Sequence, residues 1–218
     1  MSGASAWEAV LFDLDGTLAD TVPLILASFR HTMVVHRGEL LPDRDWLQHV
    51  GRPLRDTVRH FARTEAEATS ILDTYLAFQR AAHDRMVRPF DGVGGVVTRL
   101  ARQGVALAIV TSKAREMTGR TLRSCGVERD FPVVITADDV KRGKPDPEPV
   151  RRALDALDVP PSHRVLFVGD SPHDVAAGRA AGVRTAAVTW GAFPAEGLAP
   201  EGPDFLVRRP EELLELRP

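Results

Sequence analysis

Two aspartates stand one residue apart in Asp13-Leu14-Asp15-Gly16-Thr17, directly after the apolar run Val10-Leu11-Phe12. On a strand, residues i and i+2 share a face, so both carboxylates project from one side of its carboxyl end. Gly16 then lets the backbone turn sharply and lets a ligand come close. Buried strand, paired acids and tight turn are a costly combination for stability alone. They suit a site where one carboxylate attacks and the other handles a proton.

Three further polar clusters follow: Thr111 with Ser112, then Lys144, then Asp170 with Asp174. Each falls just past an expected strand or between elements, so a parallel sheet could gather them. Several acids in one place need a cation, or some must stay protonated. Oxygen donors without a His or Cys cluster select a hard ion, Mg²⁺ above all. With a lysine beside them, the set suits a dianionic substrate such as a phosphate ester. Each residue also has a plainer role open to it. Thr111 and Asp170 could cap helices, Asp174 could be a surface acid, and Lys144 a solvated charge. A calcium EF-hand loop starting at Asp13 is excluded, because Leu18 and Leu24 stand where Gly and Glu are required. No Walker-type loop is present. The seven histidines show no metal spacing and are expected at the surface, with His31 and His36 five apart rather than four. Trp7, Trp46 and Trp190 read as packing residues and Cys125 as an inert thiol.

The elements that must position these residues change character along the chain. After the first strand, residues 19–86 carry apolar positions at helical spacing, among them Leu24, Ile25, Phe29 and Met33, with breaks near 38–43 and 51–53. Beyond Phe90 strands and helices alternate. Strands are expected over 105–110, 133–135, 165–168 and 185–188, helices over 93–103, 113–124, 147–157 and 171–181, and a short apolar segment over 205–207 with a helical end after it. The Gly- and Pro-rich stretch 191–203 is expected to be a loop. This alternation predicts an α/β fold: a Rossmann-like parallel sheet core with helices on both faces, plus an inserted α-helical cap domain. Residues 1–18 and 87–218 form the expected core and 19–86 the cap, with hinges near 18–21 and 85–90. Active groups should gather at the carboxyl ends of the strands, beneath the cap.

Composition agrees with such a unit. The chain has 218 residues, 44% hydrophobic and 27% charged, with a formal net charge of -2 and one cysteine. That rules out a disulfide framework and offers no basic stripe for nucleic acid. No apolar run is long enough for a membrane span. A cytoplasmic protein is expected, monomeric or homodimeric.

In this order and on these elements, the four clusters resemble the motifs of the haloacid dehalogenase superfamily of phosphatases. D-x-D-x-T is matched by Asp13, Asp15 and Thr17, the strand-closing Thr by Thr111, the lysine by Lys144, and G-D-x-x-x-D by Gly169, Asp170 and Asp174. The resemblance implies Asp13 as nucleophile and Asp15 as general acid and then base. It implies Thr111 and Lys144 on the phosphoryl group, with Gly16 and Thr17 in the same substrate-facing turn. Mg²⁺ would be held by Asp13, Asp15 through its backbone carbonyl, and Asp170, with Asp174 in support. The implied partner is a small phosphorylated molecule.

Within the superfamily the chain looks most like phosphoglycolate phosphatases and their pyrophosphatase relatives. The cues are Ala27-Ser28-Phe29-Arg30-His31-Thr32, His83-Asp84 and Lys144-Pro145-Asp146-Pro147-Glu148-Pro149-Val150. Val50-Gly51-Arg52-Pro53-Leu54 lies where relatives place a specificity loop. Arg52 could bind a second anionic group or be solvated. Ser112 and Lys113 stand where relatives often carry Asn-Lys, and Lys113 is expected to touch substrate anion. Asp15 argues against a dehalogenase, and a cap without lysine against a phosphonatase. A sugar phosphomutase, and a phospho-accepting signalling receiver, remain the alternatives.

Overall fold

The computed structural model describes residues 7–218. β1 (Ala9–Phe12) lies at the centre of a six-stranded parallel sheet with β4 (Ala106–Val110), β5 (Val133–Ile135), β6 (Val165–Gly169), β7 (Arg184–Val188) and β8 (Phe205–Val207). The strand order is β5-β4-β1-β6-β7-β8. β1 pairs on both sides, with Phe12 opposite Ile109 and Val168, so its end is level with its neighbours' ends. Asp13, Thr111 and Asp170 are the residues that follow these three strands.

Both faces of the sheet are covered, which is why these strands read as continuous apolar runs. Alternate residues divide between the faces. Val10, Phe12, Leu107, Ile109, Leu166 and Val168 pack with Val97 and Leu100 of α5 (Val93–Arg102) and Leu122 of α6 (Arg115–Cys125). Leu11, Ala108, Val110, Val165 and Phe167 pack with Val150 and Leu154 of α7 (Glu148–Leu157) and Ala177 of α8 (Pro172–Ala181). Burial of this kind contributes about 25 cal/mol per Å² of apolar surface, so each large buried side chain is worth about 2–3 kcal/mol.

Between β1 and α5 the chain leaves the sheet and forms four helices: α1 (Val22–Arg37), α2 (Asp43–Leu47), α3 (Leu54–Phe61) and α4 (Glu65–Met86). Ile25, Phe29 and Met33 recur every four residues on α1, and Ala68, Ile71, Leu72 and Tyr75 follow 3–4 spacing on α4. The two stripes meet around Trp46, whose ring stacks on Phe29 at 4.7 Å and on Tyr75 at 5.1 Å. This is a hydrophobic core separate from those of the sheet. Thr64 caps α4 by accepting from Glu67 N at 3.1 Å. The two stretches expected to hinge lie side by side, because β2 (Ala19–Asp20) pairs antiparallel with β3 (Arg88–Pro89).

Two expectations are corrected. The stretch 191–203 is not simply a loop: Pro194 starts a short helix, α9 (Ala195–Leu198), which buries Leu198 against Val175 and Ala187. Nor are all histidines at the surface. His83 is fully buried, because Asp84 Oδ1 at 2.8 Å and Thr121 Oγ1 at 2.9 Å satisfy both ring nitrogens. His49 and His173 are half-buried where the helical cap meets the core. Trp7 and Trp46 pack as expected, and burial pushes the Cys125 thiol up to about 11. Among the described residues, no helix is long and apolar enough to cross a membrane.

Candidate active site

Asp13 continues β1 and is locked to the sheet by its amide, which donates to Val168 O at 2.8 Å. Thr111 does the same after β4, donating to Ile135 O at 2.9 Å. Asp13, Asp170 and Asp174 then converge, each offering a carboxylate oxygen within 4.8 Å of the others. Lys144 Nζ lies 2.9 Å from Asp13 Oδ1 and 2.6 Å from Asp174 Oδ1, and all four side chains are buried. The polar sequence clusters, up to 161 residues apart between Asp13 and Asp174, thus meet at the carboxyl ends of the central strands.

Each acid is held differently. Ser171 caps α8, and both its amide and its hydroxyl donate to Asp174 Oδ2, at 3.0 and 2.6 Å. Asp174 in return donates its amide to Ser171 Oγ at 3.3 Å, a capping box. With Lys144 on its other oxygen, Asp174 is fully engaged. Asp170 Oδ2 accepts from Ala192 N at 2.6 Å. Gly16, at φ 77°, runs so close to Asp170 that a Cβ there would collide with its carboxylate. The chain can therefore turn over the acid only with glycine at that point.

Three carboxylates surround one ammonium, and this imbalance governs the electrostatics. Burial pushes the Asp13 carboxyl up to about 7, with repulsion from Asp174 and Asp15 adding to it and Lys144 opposing it. Asp170 is raised well above the usual range by burial, then by Asp13 and Asp174. Burial would lower Lys144, but contact with Asp13 and Asp174 outweighs it and keeps the ammonium charged. Asp170 Oδ1 has no hydrogen-bond partner although buried, and Asp13 Oδ1 has only the ion contact with Lys144. Unpartnered buried carboxylate oxygens in an all-oxygen, negatively charged cluster fit a hard divalent cation.

The cluster opens into a cavity of about 580 Å³. Asp13, Asp15, Thr111, Ser112, Lys113 and Lys144 form its floor, and Arg52, Trp46, Tyr75 and Gln79 of the cap form its roof. Arg52 is exposed at the rim. Ser112 Oγ is turned toward the cap, donating to Gly51 O at 2.7 Å, and the Lys113 ammonium sits on Asp15 at 2.7 Å. Gly16 and Thr17 are not in the cavity wall; they form the turn behind it, where Thr17 O accepts from Trp190 Nε1 at 3.0 Å. Sequence reasoning missed Ser171, although Ser171-Pro172-His173-Asp174 carries the S-x-x-D capping pattern. It also missed Tyr75 and Gln79, whose 3.3 Å hydrogen bond faces the site from an apolar stripe.

A family profile described as "Haloacid dehalogenase-like hydrolase" matches residues 10–188. The chain belongs to this family. The match spans every cluster described above. Among curated relatives, Pyrophosphatase PpaX of Bacillus velezensis is 40% identical over 209 residues, covering 95% of each chain. Pyrophosphatase PpaX of Anoxybacillus flavithermus is 39% identical over 207 residues, again with 95% of each covered. A solved structure described as a predicted phosphoglycolate phosphatase from Haemophilus somnus superposes with a TM-score of 0.89 at 22% identity, covering 98% of this chain and 99% of that one. The haloacid dehalogenase fold with its helical cap is therefore shared throughout, and the chain is a hydrolase.

Proposed function

We propose that the protein is a cytoplasmic, Mg²⁺-dependent phosphatase that hydrolyses a small phosphorylated metabolite, a phosphoglycolate-like phosphomonoester. The observation that carries this reading is the buried Asp13–Lys144–Asp170–Asp174 cluster, with Asp15 beside it, opening into a roofed cavity. In the first step an Asp13 carboxylate oxygen bonds to phosphorus as the bond to the leaving oxygen breaks. Asp15 gives its proton to that departing oxygen. In the second step Asp15 takes a proton from water, the water oxygen bonds to phosphorus, and the bond to Asp13 breaks. Asp13 is regenerated and inorganic phosphate leaves. Thr111 and Lys144 hold phosphoryl oxygens, and Arg52 offers a charge to a second anionic group.

Asp13 and Asp170, with the Asp15 backbone carbonyl, would hold the Mg²⁺, and Asp174 would support it by fixing Lys144. When bound, the ion supplies positive charge that offsets repulsion between the carboxylate and the phosphate. Residues 1–6 of the expected core lie outside the described residues; residues 19–86 act as the cap over a core of 7–18 and 87–218. It opens for substrate and closes to exclude bulk water.

A second reading, pyrophosphate as substrate, is favoured by the names of the relatives and by Arg52, Arg55, Arg59, Lys141 and Arg142 around the cavity. Phosphoglycolate, pyrophosphate and β-glucose 1-phosphate, assayed with Mg²⁺, separate the readings by kcat/KM. In the same assay Asp13→Asn should stay folded and lose turnover of every substrate. Full activity in that variant would sink the mechanism.

A further inference from the structure

Lys113 is expected from sequence to touch substrate, yet its ammonium is already engaged. The side chain is 7% exposed, and Nζ donates to both Asp15 oxygens, at 2.7 and 3.0 Å. Its backbone is fixed as well. Lys113 N donates to Thr111 Oγ1 at 3.2 Å, and Lys113 O accepts from Ala137 N at 3.1 Å. Ordering a lysine costs rotamer freedom, and an unpaired buried ammonium would cost more. The pairing with Asp15 offsets both. Both side-chain hydrogen bonds to the Asp15 carboxylate come from this lysine.

We propose that Lys113 is a positioning residue: it holds the Asp15 carboxylate in the orientation that serves the leaving oxygen, and is not a substrate anchor. The proposal rests on Asp15 being the acid and base of the proposed reaction. A proton donor must stand within about 2.6–3.2 Å of the oxygen it protonates. Asp15 follows the strand by three residues, on a turn, so rotation about its side-chain bonds would carry the carboxyl away from that oxygen. The bidentate contact removes this freedom from the far side. Thr111, on the phosphoryl group, and Ser112, on the cap's Gly51 carbonyl, belong to the same short turn. One rigid segment therefore sets Asp15 relative to both phosphate and cap.

The test compares n-propyl phosphate, whose departing alkoxide needs a proton, with p-nitrophenyl phosphate, whose leaving group does not. The parameter is kcat/KM, which reports steps up to phosphoryl transfer. Lys113→Met should lower it for propyl phosphate by roughly 10²-fold and for p-nitrophenyl phosphate by only a few-fold, a loss that follows leaving-group basicity. Lys113→Arg, which retains charge and N–H donors, should recover at least about tenfold of the propyl phosphate loss. If Lys113→Met does not fold, as read by its thermal melt, Lys113→Gln takes its place with the same ratio as criterion. Equal losses for both substrates, or none, overturn the positioning role. The underlying reading fails separately, if the wild type turns over neither ester or Asp13→Asn remains active.

Discussion

Gly143→Ala should wedge the cap away from the core without unfolding either. Gly143 lies in the loop before Lys144, and its φ is not in the left-handed region, so alanine costs nothing in backbone strain. The obstacle is across the cap boundary. A Cβ at 143 would clash with Pro53 Cγ and stand 3.1 Å from Cδ and 3.8 Å from Cβ, where ordinary contact begins at 3.4 Å. Pro53 starts α3, so the whole segment after Arg52 must retreat, by roughly 1 Å if contact is to become ordinary. A misplacement of that size in a catalytic geometry costs about 10²-fold, or roughly 2.7 kcal/mol of transition-state stabilisation. Stability should change by no more than about 1 kcal/mol, because the restriction alanine places on the unfolded chain is offset by the short cap contacts that the displacement weakens. The assay is kcat/KM with Mg²⁺ alongside a thermal melt. Pro53→Ala removes Cγ and Cδ and leaves only the 3.8 Å contact, so the double variant should recover most of the loss. Unchanged kcat/KM in Gly143→Ala would refute the argument. So would a loss that Pro53→Ala does not relieve, since that would place the damage at neighbouring Lys144.

Three other perturbations test different parts of the site. Ser171→Ala removes the α8 cap and a 2.6 Å hydrogen bond to Asp174. It should cost about 1–2 kcal/mol, lowering Tm by a few degrees, and should also reduce kcat; an unchanged melt would show that the cap is dispensable. Because burial pushes Asp13 up to about 7 from 3.8, the metal-free folded protein binds more protons than the unfolded chain between those values. It loses stability as pH rises through that window, so the gain in Tm from saturating Mg²⁺, measured against EDTA, should grow between about pH 5 and 8. A pH-independent gain would contradict this. His83 has the opposite sign: burial pulls its pKa below 6.5 despite Asp84, so its contribution is complete above 6.5 and is lost as pH falls below it. His83→Gln should flatten the fall in Tm between about pH 7 and 5, and an unaltered slope would remove His83 as the cause.

The parts legible in the sequence were those that short-range chemistry dictates. Val10-Leu11-Phe12 and Val165-Leu166-Phe167-Val168 read as buried strands because both faces of a parallel sheet are covered. Their acids read as a site because each follows its strand immediately. Leu24, Ile25, Phe29 and Met33 read as one helix face by spacing alone. What remained hidden depended on which groups meet across the fold. Lys113 and Asp15 pair over 98 residues, and no local pattern tells a lysine aimed at substrate from one aimed at an aspartate. His83 looked like a surface residue because its second partner, Thr121, is 38 residues away. Ser171 was legible in principle, since S-x-x-D is a capping signature, but the same Asp174 already had a role in the expected site and the serine drew no notice.

The contacts between cap and core divide into two kinds, and the division bears on how substrate is selected. At α4 and α6 the surface links, set around the buried bond from His83 to Thr121, are long charged side chains: Arg80 with Glu116 and Arg120 with Asp84, each at 2.7 Å. Pairs of this sort are worth about 0–1 kcal/mol and tolerate displacement, because their flexible stems follow a moving partner. Directly over the Asp13–Lys144 cluster the links are short and backbone-bound. Ser112 Oγ reaches the Gly51 carbonyl, a Cβ at Gly51 would strike Ser171, and Pro53 rests on Gly143. These contacts have no slack: an ångström of separation breaks them. A ligand that holds the Gly51–Pro53 loop too high therefore loses the contact next to Lys113 as well as closure. A ligand that lets the loop seat keeps the Thr111–Lys113 turn, and with it Asp15, in register with the phosphoryl group. On the proposed mechanism, selection thus acts on the proton-transfer step as well as on affinity. The wrong substrate would then show a depressed kcat more than a raised KM.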